Sequence, residues 1–145
     1  MKRVFGLALV FAAMFAAAAF GAQFGRISID VADGWNASQD GPTVAIIKGD
    51  NSASLSITLM DTEGASLDAL ATEWSKQLGG SEPQLVTEGT LQGDYVFQFT
   101  NANGVKSLAV ISGSDKEYIV IVGTGIESDA ATAEMDAMIE TIALQ

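Results

Sequence analysis

The chain has 145 residues, a formal net charge of -11 at neutral pH, and neither histidine nor cysteine. Without these two residue types it cannot build a disulfide framework, a thiolate zinc site, a Ser-His or Cys-His nucleophile pair, or most transition-metal sites. Its surplus of carboxylates disfavours nucleic acids and anionic lipid surfaces, which lysine and arginine bind. Basic proteins, cations and neutral small ligands remain as possible partners.

The first residues are typical of a secretory signal peptide. Lys2 and Arg3 precede an apolar run over residues 4–20, and small residues follow it. Cleavage after Gly21 satisfies the small-residue rule for signal peptidase, and cleavage after Ala19 is an alternative. An uncleaved anchor helix is the competing interpretation, because the run approaches the roughly 17 to 25 residues that span a bilayer.

We therefore expect residues 1–21 to be a signal peptide and residues 22–145 to form one domain, periplasmic or secreted. Loss of Lys2 and Arg3 makes the net charge of this domain more negative than that of the full chain. The absence of cysteine excludes attachment as a lipoprotein. We expect a mature protein free of the membrane.

The first half of the mature chain predicts three strands. Alternation of apolar and polar residues is typical of half-buried strands, and it occurs at residues 26–32, 43–48 and 53–60. Between the first two strands, Asp33 and Gly34 turn the chain into Trp35. We expect Trp35 to pack at this corner of the sheet, with exposure for ligand recognition as the alternative.

A helix follows these strands. Ser66 is a good N-cap, and Gly79-Gly80 ends the segment. Apolar residues recur between them at helical spacing: Leu67, Leu70, Ala71, Trp74 and Leu78. The stripe predicts an amphipathic helix with Trp74 packed in the core.

The second half predicts four strands, at residues 84–91, 94–102, 105–112 and 117–123. Asn103-Gly104 is a strong signal for a two-residue hairpin turn. That turn would place Phe97 opposite Val110, Phe99 opposite Leu108, and Val96 opposite Ile111. Apolar residues would then face apolar residues across the hairpin.

Residues 118–122 form an apolar run without alternation, which predicts a central strand buried on both faces. A sheet covered on both faces needs a second helix, and the C-terminus supplies one with Ser128 as N-cap and Met135 and Met138 in the core. The predicted fold is α+β, a single antiparallel sheet of about six or seven strands with one helix packed on each face, in the order βββαββββα.

Several segments resemble the PsbP and DcrB-like group of small α+β sandwich proteins. They are an opening strand that runs into a Gly-Trp corner (residues 27–35), residues 93–97 followed by 104–106, and residues 117–122. Ala32 stands where the group commonly has proline. Members serve as accessory subunits of photosynthetic complexes, as envelope proteins or as a nuclear binding factor. The resemblance therefore implies an accessory binding role without chemistry.

The remaining chemistry rests on carboxylates. Asp61 and Glu63, and likewise Glu127 and Asp129, place two carboxylates one residue apart beside loops, but no complete calcium-loop motif occurs. No phosphate-binding loop is present either, and Gly123-Thr-Gly125 reads as a helix-entry turn. No catalytic, metal-binding or cofactor-binding residue is assigned, and no cofactor is expected.

We expect an exported, non-catalytic binding or accessory protein of the bacterial envelope, with another envelope protein or a small ligand as its partner. Two alternatives stay open. One is a hydrolase in which two carboxylates share a concave pocket, and the other is a calcium-responsive binding module.

Overall fold

The computed structural model describes residues 21–89 and 91–145. Nearly all of the predicted signal peptide lies outside these residues, so its cleavage stays a prediction. The described strands are β1 Gly21–Phe24, β2 Ile27–Asp30, β3 Trp35–Asp40, β4 Thr43–Lys48, β5 Ser54–Asp61, β6 Gln84–Leu85, β7 Tyr95–Thr100, β8 Lys106–Gly113, β9 Glu117–Thr124 and β10 Ala143–Leu144. The helices are α1 Leu67–Leu78 and α2 Asp129–Glu140.

The larger sheet has seven strands in the order β3-β4-β5-β9-β8-β7-β6, and every neighbouring pair is antiparallel. The chain leaves β5 near the middle, crosses through α1 to the far edge, and returns strand by strand to β9. This puts β9 in the centre with β5 and β8 beside it. The apolar run at residues 118–122 correctly predicted this central position.

The prediction of a single sheet is wrong, because β2 does not join the larger sheet. It pairs with β1 on one side and with β10 on the other, which makes a separate three-stranded sheet. Both partners escaped the sequence analysis, since β1 is short and β10 has only two residues. The Ser28 hydroxyl donates to the Ala143 carbonyl at 3.3 Å, which ties β2 to the C-terminus.

The predicted element order is also wrong, although the α+β class is confirmed. The structure has five strands before α1, four between the helices, and β10 after α2. The Asp33-Gly34 turn is followed by strand β3, which the sequence analysis treated as a corner. The strand predicted at residues 84–91 shrinks to β6, because successive turns end it: Gln92 N–H donates to Gly89 O and Asp94 N–H donates to Leu91 O.

The hairpin between β7 and β8 is shifted by one residue from the predicted register. Phe97 pairs with Ala109 and Phe99 pairs with Ser107. The turn has three residues, because Asn101 N–H bonds to Val105 O at 2.9 Å. A one-residue shift exchanges the two faces of a strand, and here Ala109 shares the α1 side with Phe97 while Val110 belongs to the core on the opposite side.

The two faces of the larger sheet carry different layers. One face packs against α1 through Phe97, Ala109, Ile111, Tyr118 and Val120. The other face packs against α2 and the three-stranded sheet, and its buried residues include Val44, Ile46, Leu55, Ile57, Val110, Ile119 and Ile121. Met135 and Met138 of α2 belong to this second core, and Trp35 is only 6% exposed, so the expected packing of all three is confirmed.

Candidate functional site

One half of the α1 side of the larger sheet has no helix over it in the described part of the chain. A helix is about 10 Å across and strands lie about 4.8 Å apart, so one helix covers two or three strands. Helix α1 packs on β7, β8 and β9. The same side of β3, β4 and β5 stays uncovered. We call this surface the open face, and its residues are Asn36, Ser38, Asp40, Thr43, Ala45, Ile47, Ser54, Ser56, Thr58 and Met60.

The open face carries a single charged side chain, Asp40, although the chain contains 18 aspartate and glutamate residues. Asp40 lies at its outer end. Ile47 and Met60, the two large apolar residues of this face, are 41% and 37% exposed. Depletion of charge around exposed apolar residues distinguishes the centre of a protein–protein interface from ordinary surface.

Hydroxyl pairs bridge neighbouring strands on the open face. Thr43 Oγ1 lies 2.9 Å from Thr58 Oγ1, and Ser54 Oγ lies 2.6 Å from Thr124 Oγ1. Each pair shares one hydrogen bond and leaves one hydroxyl hydrogen for water or a partner.

The border between the open face and α1 is a row of polar contacts. Trp74 Nε1 donates to Tyr118 Oη at 3.0 Å, and Tyr118 Oη lies 3.5 Å from Met60 Sδ. Trp74 therefore belongs to the packing of α1, as its helical spacing predicts. Its indole therefore lies at the border between α1 and the open face.

A second surface feature is a wide cleft of about 500 Å³ at the start of α1. Residues 64–68, Gly93, Tyr95, Ser114 and Asp115 line it. Two carboxylates, Asp68 and Asp115, therefore share one concavity. A shared concavity is one requirement of the hydrolase alternative, and the sequence could not locate it because the two residues lie far apart along the chain.

The carboxylate pairs that the sequence singled out have local roles in turns and helix ends. Asp61 Oδ1 accepts a hydrogen bond from Glu63 N–H at 2.6 Å, and Asp129 occupies the first turn of α2. Residues 21–89 and 91–145 contain no group of three histidine, cysteine, aspartate or glutamate residues that could hold a metal ion. Within these residues the calcium alternative gains no geometric support.

A small charged cluster joins β3, β4 and α2. Lys48 Nζ lies 2.9 Å from Glu134 Oε1 and 5.7 Å from the ring centroid of Trp35. The hydrogen bond from Lys48 lowers the pKa of Glu134, with a smaller contribution from the nearby Trp35 indole. The buried Nε1 of Trp35 nevertheless makes no hydrogen bond of ordinary geometry. The cluster fastens α2 over the edge of the sheet.

Beneath α2 lies an apolar cavity of about 40 Å³ between the helix and β5, β8 and β9. Asp136 lines it together with Met135 and Ile139. Burial raises the pKa of the Asp136 carboxyl, and the charge of Glu140 raises it further. The cavity holds about one water molecule or methyl group, which is far below the size of an ordinary ligand site.

Among the described residues, no helix combines the length and the apolar character that crossing a membrane requires.

No protein-family model matches the chain, and no curated protein matches it. Its fold is similar to that of a protein from Bacteroides thetaiotaomicron VPI-5482 whose crystal structure was determined at 1.50 Å resolution. The TM-score is 0.55, the sequence identity is 20%, and the match covers 83% of this chain and 45% of the other. The chain thus spans less than half the length of that protein, and the similarity concerns the fold alone.

The open face escaped the sequence analysis for a definable reason. Small polar residues alternate with buried apolar ones in β4 and β5, and this pattern correctly predicted half-buried strands. The pattern does not say whether the polar side meets a helix or solvent. That depends on where α1 crosses the sheet, which is a property of the whole fold.

Proposed function

We propose that this chain is an exported, non-catalytic binding protein of the bacterial envelope that contacts a positively charged partner protein through the open face. The observation that carries the proposal is the uncovered surface over β3 to β5, which carries one charged side chain, Asp40, in an otherwise acidic chain. The signal-like N-terminus supports export, and the lack of histidine and cysteine supports a role without nucleophilic chemistry. Membership of the PsbP and DcrB-like group is part of this proposal.

The chemistry of the partner follows from charge. Of the five basic residues after the signal-like segment, Arg26 and Lys48 are already paired with Glu117 and Glu134. Carboxylates border the open face at its strand ends: Asp40 closes β3, Asp50 lies between β4 and β5, and Asp61 closes β5. An approaching protein therefore meets an acidic rim around a centre of small polar and apolar residues. Complementary charge steers a basic partner towards this rim and repels an acidic one. We expect the association rate to fall steeply as salt is added.

Photo-cross-linking in intact cells tests the proposal. A photoreactive amino acid is placed at Ile47 on the open face, and a matched one is placed at Gln77, an exposed position of α1. We expect a discrete cross-linked protein from position 47 alone. The cross-linked partner is then purified, and its affinity is measured by titration calorimetry.

The decisive variant in that titration is Ile47→Asp, with Gln77→Asp as the control of equal charge. Burying an unpaired carboxylate in the contact should weaken binding about tenfold or more, whereas the control should bind as the wild type does. Equal cross-linking from both positions, or unchanged affinity of Ile47→Asp, would contradict an interface on the open face.

The hydrolase alternative is favoured by one observation, the shared cleft of Asp68 and Asp115. Paired carboxylates at a sugar or ester can act as acid and base. A panel of chromogenic glycosides and esters distinguishes the two functions. Turnover by the purified domain that disappears in Asp68→Asn and Asp115→Asn would replace the binding proposal, since a binding surface does not need either carboxylate.

A further inference from the structure

Strand β3 is the longest edge strand among the described residues. It has six residues, and its pairing with β4 runs from Trp35 to Asp40 without a bulge. The opposite edge, β6, has two residues and follows Pro83. The edges of the smaller sheet, β1 and β10, have four and two residues. Proteins usually protect long edges with proline, lysine or bulges, and β3 has none of these.

The backbone of β3 offers hydrogen bonds on its free side. Gly49 N–H donates to Gly34 O at 2.8 Å, which fixes the phase of the ladder with β4. Bonded positions alternate along an antiparallel strand, so every second residue from Gly34 onward turns its backbone towards β4. Ala37 and Gln39 lie at the intervening positions. Their N–H and C=O groups point away from the sheet, and β3 pairs with β4 alone.

Charge at β3 is confined to its ends. Asp33 precedes the strand, Asp40 closes it, both are exposed, and the residues between them are uncharged. We infer that β3 accepts an extended segment of the partner as an added strand, with uncharged residues in its middle and lysine or arginine at its ends. The inference rests on the proposed function and specifies its binding mode. Such strand addition gains affinity from backbone hydrogen bonds and specificity from alternate side chains.

A second copy of this chain fits the edge less well. Two β3 strands paired antiparallel about Ala37 would bring Asp40 of each copy beside Gly34 and close to Asp33 of the other. Each full chain also carries a net charge of -11. Like charges at both ends of a strand pair oppose association, whereas a cationic segment places opposite charges at the same positions.

Synthetic peptides test the inference with defined probes. The first is a fluorescent peptide of alternating threonine and valine with lysine at both ends. The second replaces the terminal lysines by glutamate, and the third keeps lysine but methylates alternate backbone nitrogens. Fluorescence anisotropy with the wild-type protein should show binding of the first peptide. We expect binding at least about tenfold weaker for the other two, because one loses charge complementarity and the other loses backbone donors.

Ala37→Pro removes an outward N–H from β3, and Leu85→Pro is its matched control on β6. Leu85 lies between the bonded positions Gln84 and Val86, so its N–H also points outward. Proline at such edge positions leaves the hydrogen bonds to the neighbouring strand intact. We expect Ala37→Pro to lower the affinity for the lysine-ended peptide about tenfold and Leu85→Pro to leave this affinity unchanged. If Ala37→Pro does not fold, Asp33→Asn combined with Asp40→Asn should lower the affinity for the same peptide, and these substitutions leave the backbone donors and acceptors of β3 unchanged.

Equal binding of the three peptides overturns the inference. So does loss of binding in Leu85→Pro to the same extent as in Ala37→Pro. A wild-type dimer that Ala37→Pro dissociates also overturns it, because a second copy would then occupy the edge. If Ile47→Asp abolishes partner binding while Ala37→Pro preserves it, strand addition is wrong and the open-face interface stands. If neither substitution affects the partner, the proposed function itself fails.

Discussion

Glu134 and Asp136 lie two residues apart on α2, yet their surroundings shift the two pKa values in opposite directions. Lys48 donates to Glu134 and lowers its pKa. Burial against the apolar cavity, followed by the charge of Glu140, raises the pKa of Asp136. One carboxylate therefore favours the folded state when it is charged, and the other opposes it.

The difference predicts opposite effects of two isosteric substitutions. At pH 7 Glu134→Gln should lower the free energy of unfolding and Asp136→Asn should raise it. The loss from Glu134→Gln should disappear as pH falls from the ordinary glutamate pKa of 4.5 through the lower folded-state value. The gain from Asp136→Asn should fade as pH falls through the raised folded-state value towards 3.8.

Urea unfolding of the wild type and both variants at pH 7 and at about pH 3.5 measures these differences. Two variants that shift stability in the same direction at pH 7 would contradict the assignment. Added salt should shrink the effect of Glu134→Gln, because its ion pair with Lys48 is partly exposed to solvent.

At the scale of elements, the turn between β7 and β8 shows how a local signal fixes a hairpin without fixing its register. Asn101 Oδ1 accepts hydrogen bonds from Asn103 N–H at 2.9 Å and Val105 N–H at 3.0 Å. Gly104 has φ of 78° and supplies the left-handed residue that ends a three-residue turn. The Asn103-Gly104 pair thus lies in the turn, but the side chain that accepts the hydrogen bonds of the turn is that of Asn101 and not that of Asn103.

Alanine substitutions distinguish this turn from the two-residue alternative. Asn101→Ala should lower the free energy of unfolding by about 1–2 kcal/mol, because two backbone donors lose their acceptor. Asn103→Ala should change it by less than about 0.5 kcal/mol, since its side chain is exposed. Thermal or urea unfolding measures both. The reverse ranking would support a turn made of Asn103 and Gly104 alone.

At the scale of the whole molecule, carboxylates outnumber basic residues by 18 to 7. The described residues contain two ion pairs between side chains, Arg26 with Glu117 and Lys48 with Glu134. Most negative charges therefore repel one another across the surface. This repulsion opposes the compact state.

Salt should therefore stabilise the protein. Raising sodium chloride shortens the screening length from about 30 Å at 0.01 M to about 8 Å at 0.15 M, which weakens the repulsion between distant carboxylates. We expect the melting temperature to rise with salt. Glu63→Gln combined with Glu82→Gln, two exposed positions outside the helices, should raise it at low salt and have a smaller effect at high salt. A melting temperature that falls with salt would show that attractive pairs dominate.

The sequence alone determined the features that neighbouring residues control. Both helices begin at serine caps, Ser66 and Ser128, and α1 ends at Gly79 in the left-handed conformation, as predicted. The apolar run of β9 sufficed to place that strand in the centre, because an unalternated strand has to be covered on both faces. The α+β class and the packing of Trp35, Met135 and Met138 followed from the same local patterns.

Only the tertiary structure decided which strands meet. Strand β2 leaves the larger sheet because β1 and β10 pair with it, and β10 lies more than a hundred residues further along the chain. The open face, the free edge of β3 and the cleft of Asp68 and Asp115 all depend on where α1 crosses the sheet. The physical reason is that the alternation of apolar and polar residues indicates which side of a strand is buried. Contacts between residues distant in sequence decide which element covers that side.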